Sequence, residues 1–454
     1  MTRFPGTSPM PQRPNIIFIV ADDLGYADLG CYGGREASFG AVSPVLDQLA
    51  AHGLKLTQGY ANSPVCSPTR FALMTARYQY RLRGAAEEPI NSKSRGSTTL
   101  GLPPEHPTLP SLLRASGYRT ALMGKWHLGY PPAFGPLQSG YEEFFGPMSG
   151  GVDYFTHCSS NGQHDLYLGE EEKQQDGYLT DLITDHALDY VQRMAPGAQA
   201  GDPFFLSLHY TAPHWPWETR DDEALAQEAK TNLFHLHGGN IETYRRMIHH
   251  MDEGIGRIMA LLEQQGLVHN TLVVFTSDNG GERFSDNWPL VGGKMDLTEG
   301  GIRVPWIAHW PAVIAPGSAS AQTCMTMDWS ATMLDAAGVS AAPDYPLDGR
   351  SLMPLLRDAS GATARDEPPL FWRMNHRGQR AMRQGVWKYL RVDGNDYLFD
   401  LSQDERERAN RALVEPERLQ AMRAAWEAWN ASMPAIPEDA TVSLGYSTKD
   451  IPQR

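Results

Sequence analysis

Residues 16–20 read Ile-Ile-Phe-Ile-Val, an apolar run with no polar interruption. A strand with one wet face alternates apolar and polar residues, whereas a strand covered on both faces does not. The run therefore predicts a buried strand of a parallel sheet. Residues 118–123, 204–209, 271–276 and 303–308 predict further strands. Between them, apolar residues recur at helical spacing. Residues 43–52 put Val45, Leu46, Leu49 and Ala50 on one face, start at Ser43-Pro44 and stop at Gly53. Residues 108–116 form a second expected helix, ended by Gly117. Asp176 is expected to cap a third, to about Met194, and residues 241–265 a long fourth with Tyr244, Met247, Met251, Ile255, Ile258 and Leu262 inward. Residues 70–77 read as another short helix, with Pro68 at its first position. This alternation predicts an α/β fold, a large and mostly parallel sheet sandwiched between helices.

The pattern changes near Arg365. Residues 370–373, 379–384, 387–392 and 397–400 predict short strands joined by tight polar turns, and 416–429 a helix. The expected division is a catalytic domain over 1–364 and a smaller antiparallel sheet with a helix over 365–454. The Pro-rich residues after 434 are expected to be extended.

The chain has 454 residues, of which 41% are hydrophobic and 20% charged, as in an ordinary globular protein. No apolar run approaches the ~18 residues of a membrane span. Met1 to Pro14 lack the apolar centre of a secretory signal, so a cytoplasmic location is expected. The net charge of −14 argues against nucleic acid as a partner. It also requires that an anionic substrate be held by a local basic cluster. Four scattered cysteines make neither a disulfide framework nor a zinc ribbon, and Cys31, Cys158 and Cys324 read as buried thiols.

The fourth cysteine stands apart. Cys66 lies in Pro64-Val65-Cys66-Ser67-Pro68-Thr69-Arg70, with Arg70 one helical turn after it. A helix N-terminus beside a guanidinium is a receptor for a tetrahedral oxyanion. Polar residues also follow four of the predicted strands. These are Asp22-Asp23, Gly124-Lys125-Trp126-His127, Thr211-Ala212-Pro213-His214 and Asp278-Asn279-Gly280. In open α/β sheets that edge is where ligands bind. Gathered without a cation, Asp22, Asp23 and Asp278 would repel one another. With Asn279 they make an all-oxygen set suited to Ca²⁺ or Mg²⁺ rather than zinc, although each pair alone equally suits a plain turn. In an extended segment Lys125 and His127 would share a face. His214, between Pro213 and Trp215-Pro216-Trp217, sits on a stiff loop that suits a general acid. Lys294 follows Gly292-Gly293, which lets backbone approach a ligand, though alone it reads as a solvated loop lysine. His186, His249, His250 and His309 read as structural. Tyr154, Phe155, Trp215 and Trp217 are candidates to stack on an aryl ring or a sugar face.

Together these segments resemble the formylglycine-dependent sulfatases of arylsulfatase type, in the alkaline-phosphatase-like superfamily. Cys66 to Arg70 is similar to the signature Cys-x-Pro-x-Arg. Ala21-Asp22-Asp23-Leu24-Gly25, Gly124 to Gly129, Ala212-Pro213-His214, Ser277-Asp278-Asn279-Gly280, and Lys294 with Glu299 to Pro305 extend the likeness over nearly the whole chain. The resemblance implies that a maturation enzyme oxidises Cys66 to formylglycine. It implies that Asp22, Asp23, Asp278, Asn279 and the modified Cys66 bind Ca²⁺, with Mg²⁺ the alternative. It further implies that Arg70, Lys125, His127, His214 and Lys294 hold the sulfate and move protons. The expected substrate is an aryl sulfate or a sulfated saccharide, hydrolysed to alcohol and inorganic sulfate. Departures are few: Ala76-Arg77 stands where many relatives have Gly-Arg, and Val45 replaces a usual Asn. Residues 146–155 look like a substrate-side loop. A phosphodiesterase or phosphonate monoester hydrolase sharing the formylglycine stays open, as does a non-catalytic sulfate-binding module. A two-zinc phosphatase is disfavoured, because residues 280–295 contain no histidine.

Overall fold

The computed structural model describes residues 13–33, 40–229, 233, 238–359 and 367–443. The expected domain boundary at 364/365, most of the segment read for a signal, and the end of the Pro-rich tail lie outside these residues.

The strands are β1 (Asn15–Ala21), β2 (Leu54–Leu56), β3 (Gly59–Tyr60), β4 (Arg119–Gly124), β5 (Glu143–Gly146), β6 (Tyr167–Leu168), β7 (Glu171–Glu172) and β8 (Phe204–His209). They continue as β9 (Thr271–Ser277), β10 (Trp306–His309), β11 (Ser318–Ser320), β12 (Cys324–Met325), β13 (Leu370–Met374), β14 (Gln379–Gln384), β15 (Trp387–Val392) and β16 (Asn395–Asp400). Ten of them form one sheet in the order β11-β2-β10-β9-β1-β8-β4-β5-β6-β7. Its centre, β9-β1-β8-β4-β5, is parallel, and β10 joins antiparallel to β9.

All seven residues of β1 are buried. Its side chains alternate between two cores: Ile17, Ile19 and Ala21 enter one, and Ile16, Phe18 and Val20 the other. Helices α4 (Leu179–Ala200) and α5 (Ile241–Gln264) cover the first face. Helices α2 (Cys66–Thr75), α3 (Leu109–Ala115) and α6 (Thr326–Ala336) pack on the second. Helix α1 (Pro44–Ala51) adds Leu46, Leu49 and Ala50 to the first core. No helix among the described residues is long and apolar enough to cross a membrane.

Three expectations need correction. Helix α2 begins at Cys66 and ends at Thr75, so Pro68 occupies its third position rather than its first. That place is equally free, because the first four N–H groups of a helix have no partner within it. Helix α4 starts at Leu179 after Tyr178, not at an Asp176 cap, and runs through Pro196 to Ala200, where Gly201 ends it in a left-handed turn. The expected strand 303–308 is shorter, Trp306–His309, because residues 299–302 form a helical turn that leads into it.

Strands β13 to β16 make an antiparallel meander on which helix α7 (Pro416–Ala431) lies. This sheet shares a core with the segment around helix α2: Trp372, Tyr389 and Leu398 pack with Tyr60, Val65, Ala72 and Cys66 itself. Buried Lys388 on β15 pairs with Glu299 at 2.9 Å and Glu407 at 2.8 Å. The small sheet is thus built against the back of helix α2.

Candidate active site

Parallel register brings four strand ends together. Val20 lies beside both His209 and Thr276, and Gly124 beside His209. Backbone bonds continue past the strands: Asp22 N donates to Ala212 O (3.0 Å), Asp278 N to Ala21 O (3.1 Å) and Lys125 N to His209 O (2.8 Å). Gly124 has φ +116, and a Cβ there would lie 1.8 Å from His209 O, so only glycine permits this closure.

On this base stands a buried charge network. Lys125 Nζ donates to Asp22 Oδ2 at 2.5 Å. Arg70 gives Nε and Nη2 to Asp278 Oδ2 at 3.0 and 2.8 Å, and Nη1 to Lys125 O at 3.2 Å. Lys294 Nζ donates to Asp23 Oδ2 at 2.7 Å, and His214 Nε2 lies 3.5 Å from the same oxygen. Asn279 Nδ2 donates to Asp23 Oδ1 at 2.7 Å. Donor atoms of Asp22, Cys66 and Asp278 lie within 4.8 Å of one another, as do those of Asp22, Asp23 and His214. Asp22 Oδ1 and Asn279 Oδ1 are buried with no hydrogen-bond partner. Orphaned oxygens beside clustered carboxylates fit a hard divalent cation.

Beside the network opens a cavity of about 350 Å³. Cys66, His127, His214 and Lys294 line it, while Arg70 and Lys125 stand behind it against the carboxylates. His127 has φ +60, so its segment is not extended and does not present Lys125 and His127 on one face. The His127 ring instead donates Nε2–H to Ile90 O at 2.6 Å. Gly150 makes room for that ring, since a Cβ would meet it at 2.4 Å.

Residues 14–339 match the family model "Sulfatase". The chain belongs to the sulfatase family. Residues 293–426 also match the model "N-sulphoglucosamine sulphohydrolase, C-terminal". Human N-acetylgalactosamine-6-sulfatase is 31% identical over 77% of this chain and 67% of its own length. Human arylsulfatase A is 32% identical over 90% and 86%. The crystal structure of Ps i-CgsB in complex with k-i-k-neocarrahexaose superposes with a TM-score of 0.82 at 30% identity, covering 93% of this chain and 94% of that one. This sulfatase is accordingly a sulfuric ester hydrolase with the alkaline-phosphatase-like fold.

The sulfatase's site is tuned by burial. Burial pushes the Cys66 thiol up to about 11, against the pull of Lys125 and Lys294. Burial, then Lys125, holds His127 well below its ordinary range, and burial with Lys294 does the same to His214. Both rings are neutral at pH 7. Burial and then Asp278 push Asp22 upward. Burial opposes ionisation of Asp23 too, but Lys294 and His214 outweigh it and hold that carboxyl below the usual range.

Of the four aromatic candidates only Trp215 reaches the cavity. Trp217 is buried against Phe284, Tyr154 gives its hydroxyl to His214 O, and Phe155 packs on Tyr178. Sequence reasoning missed His209, whose Nδ1 lies 3.3 Å from Arg70 Nη1. Its place at the end of a predicted strand was a usable signal. It also missed Glu282, 3.4 Å from Lys294, and the cavity wall at 89–93, which carry none.

Proposed function

We propose that this sulfatase removes sulfate from a sulfated saccharide, working through Cys66 after its conversion to formylglycine and with one bound Ca²⁺. The observation that carries the reading is the placement of Cys66 on the cavity wall, with His127, His214 and Lys294 lining the same space. A saccharide suits the cavity: its rim includes Asn91, Ser92, Lys93, Ser160 and Ser443, and Trp215 is its one aromatic lining residue among the described residues. One relative's name, N-acetylgalactosamine-6-sulfatase, and the hexaose-bound neighbour agree with that class, while the names arylsulfatase A and steryl-sulfatase point to other organic groups.

Asp22, Asp23, Asp278 and Asn279, with the modified residue 66, would hold the cation. When bound, it would supply positive charge to polarise the sulfuryl oxygens and favour an ionised nucleophile. A thiol held near 11 is a poor nucleophile at pH 7. Formylglycine would instead offer a hydrated aldehyde, with one hydroxyl to attack sulfur and a second that lets sulfate leave by C–O cleavage. The His127 tautomer is fixed, because Nε2–H is spent on Ile90 O. Nδ1 keeps its lone pair and has no other partner, so it is the base. Lys294, which donates to Asp23 Oδ2, is the proton source for the departing alcohol; His214 spends Nδ1–H on Trp215 O at 2.7 Å and turns Nε2 to the same carboxylate, 3.5 Å away. Lys125 and Arg70 hold Asp22 and Asp278 in place through charged hydrogen bonds.

Cys66 is 2% exposed and helical. A maturation enzyme must therefore meet it before the chain folds. The test pairs mass spectrometry of the Cys66 peptide with turnover of sulfated oligosaccharides and of an aryl sulfate. Exchange of sulfur for oxygen with loss of two hydrogens, and faster turnover of a saccharide, is the expected result. Faster turnover of the aryl sulfate than of every sulfated saccharide tried would overturn the substrate class.

A further inference from the structure

Lys294 reaches Asp23 from a loop, and loops position charges poorly unless something fixes them. The residue after it, Met295, has φ +74, a left-handed backbone that side chains other than glycine adopt at a cost. Both of its backbone polar groups are tied to distant segments. Met295 N donates to Pro64 O at 2.8 Å, two residues before Cys66. Met295 O accepts from Gln379 Nε2, also at 2.8 Å. The same carboxamide accepts the Leu297 N–H at Oε1, 2.9 Å away. Gln379 opens β14 of the C-terminal sheet, is 2% exposed, and steadies its amide further on His376 O at 3.2 Å.

We propose that Gln379 is a positioning residue: it clamps residues 295–297 from the C-terminal sheet and so sets Lys294 against Asp23 and the Cys66 cavity. The inference rests on the sulfate-handling role proposed for Lys294. One side chain satisfies a carbonyl and an N–H two residues apart, which locks the strained turn between them. No apolar residue does this, and Asn is one methylene too short to span the gap. The small domain is then part of the catalytic apparatus, although Gln379 touches no substrate.

The test compares Gln379→Met, which keeps the volume and loses both bonds, with wild type, Lys294→Ala and the double variant. Two readouts are taken. The first is the rate of acetic anhydride labelling of each lysine, followed by mass spectrometry. Lys294 is buried to 10% exposure and ion-paired, so it labels slowly in wild type, and Gln379→Met should raise its rate selectively. The second is kcat/KM on an aryl sulfate, which should fall on the order of tenfold, as small displacements at reacting centres do. Adding Gln379→Met to Lys294→Ala should then cost less than about twofold more, because coupled sites are non-additive. Gln379→Glu, which keeps the acceptor for Leu297 but sets a carboxylate against Met295 O, should also raise Lys294 labelling. Unchanged labelling in both variants overturns the proposal, and so do losses that multiply in the double variant. Raised labelling with unchanged kcat/KM leaves the clamp standing and removes the role assigned to Lys294.

Discussion

Glu218 lies four residues beyond His214 and is fully buried. Its Oε2 accepts the Tyr154 N–H at 3.2 Å, and its backbone carbonyl accepts the Tyr178 hydroxyl at 2.8 Å. Its Oε1 and Asp153 Oδ2 are both left without an ordinary partner, and the two carboxyl groups face each other. A proton between them resolves the conflict. Burial first, and then Asp153, push Glu218 from the ordinary 4.5 up to about 9. In the unfolded chain the same group is ionised above 4.5. Between these values the folded protein holds one more proton than the unfolded one. Stability therefore falls as pH rises through this window, by about 1.4 kcal/mol per unit. At pH 7 the loss is roughly 3 kcal/mol. Glu218→Gln keeps the shape, offers Asp153 an amide N–H and has no proton to take up. It should be more stable than wild type by up to roughly 3 kcal/mol at pH 7, and the gain should vanish near pH 5. Urea midpoints read by tryptophan fluorescence at pH 5, 7 and 8.5 measure this. A Glu218→Gln difference that does not vary with pH would refute the shared proton.

The remaining predictions concern the site. Cys66→Ala should abolish turnover of any sulfate ester while leaving circular dichroism and the urea midpoint near wild type. Full activity in that variant would end the formylglycine reading. Exhaustive chelation should lower both the melting temperature and activity, and Ca²⁺ should restore both, since a ligand that binds only the folded state stabilises it by mass action; a melting temperature indifferent to chelator and Ca²⁺ would count against a cation at Asp22 and Asp278. Trp215→Ala should raise KM for a saccharide up to about tenfold with a smaller change in kcat, as loss of a stacking surface does. Equal kinetics would remove Trp215 from the substrate site.

Much of this architecture is written locally in the chain. Strand β1 was legible because burial on both faces leaves no polar residue between Ile16 and Val20. The strand-end clusters were legible because parallel register makes every C-terminal end a neighbour of the next, so Asp22, Lys125 and Asp278 had to converge; His209, at the end of β8, was overlooked although it carries the same signal. What the sequence hid is what depends on direction or distance. Tyr154 and Trp217 flank the right motifs yet turn into the core, and composition says nothing of which way a ring points. The turn at His127 breaks the extended geometry on which a shared face with Lys125 depended. Gln379 lies 85 residues from Lys294. Its clamp is a pairing of one amide with two backbone groups, which leaves no periodic trace. The wall at 89–93 and Ser443, joined through Asn91 Nδ2 at 2.7 Å, come from opposite ends of the chain for the same reason.

The charges of the site favour a cation there. Asp22, Asp23 and Asp278 are matched by Lys125, Lys294 and Arg70 at 2.5, 2.7 and 2.8 Å. With Glu282, 3.4 Å from Lys294, four formal negative charges meet three positive ones, and the set carries a formal charge of −1. A site of that charge has no purchase on a sulfate ester, whose approach is also opposed by a chain charge of −14. Adding a divalent cation would leave an excess of one positive charge in a space with little water to screen it. It also relieves the upward push on Asp22, whose burial is the largest opposing influence, and gives the orphaned Asp22 Oδ1 and Asn279 Oδ1 a partner. Lys294, which lines the cavity, would then act on the anion rather than only on Asp23. On this account Lys294→Ala should weaken inhibition by inorganic sulfate far more with Ca²⁺ present than after chelation, because only the loaded site carries the excess charge to which that lysine adds. Equal weakening in the two states would show that Lys294 holds sulfate without help from a cation, and the electrostatic argument for the metal would fail.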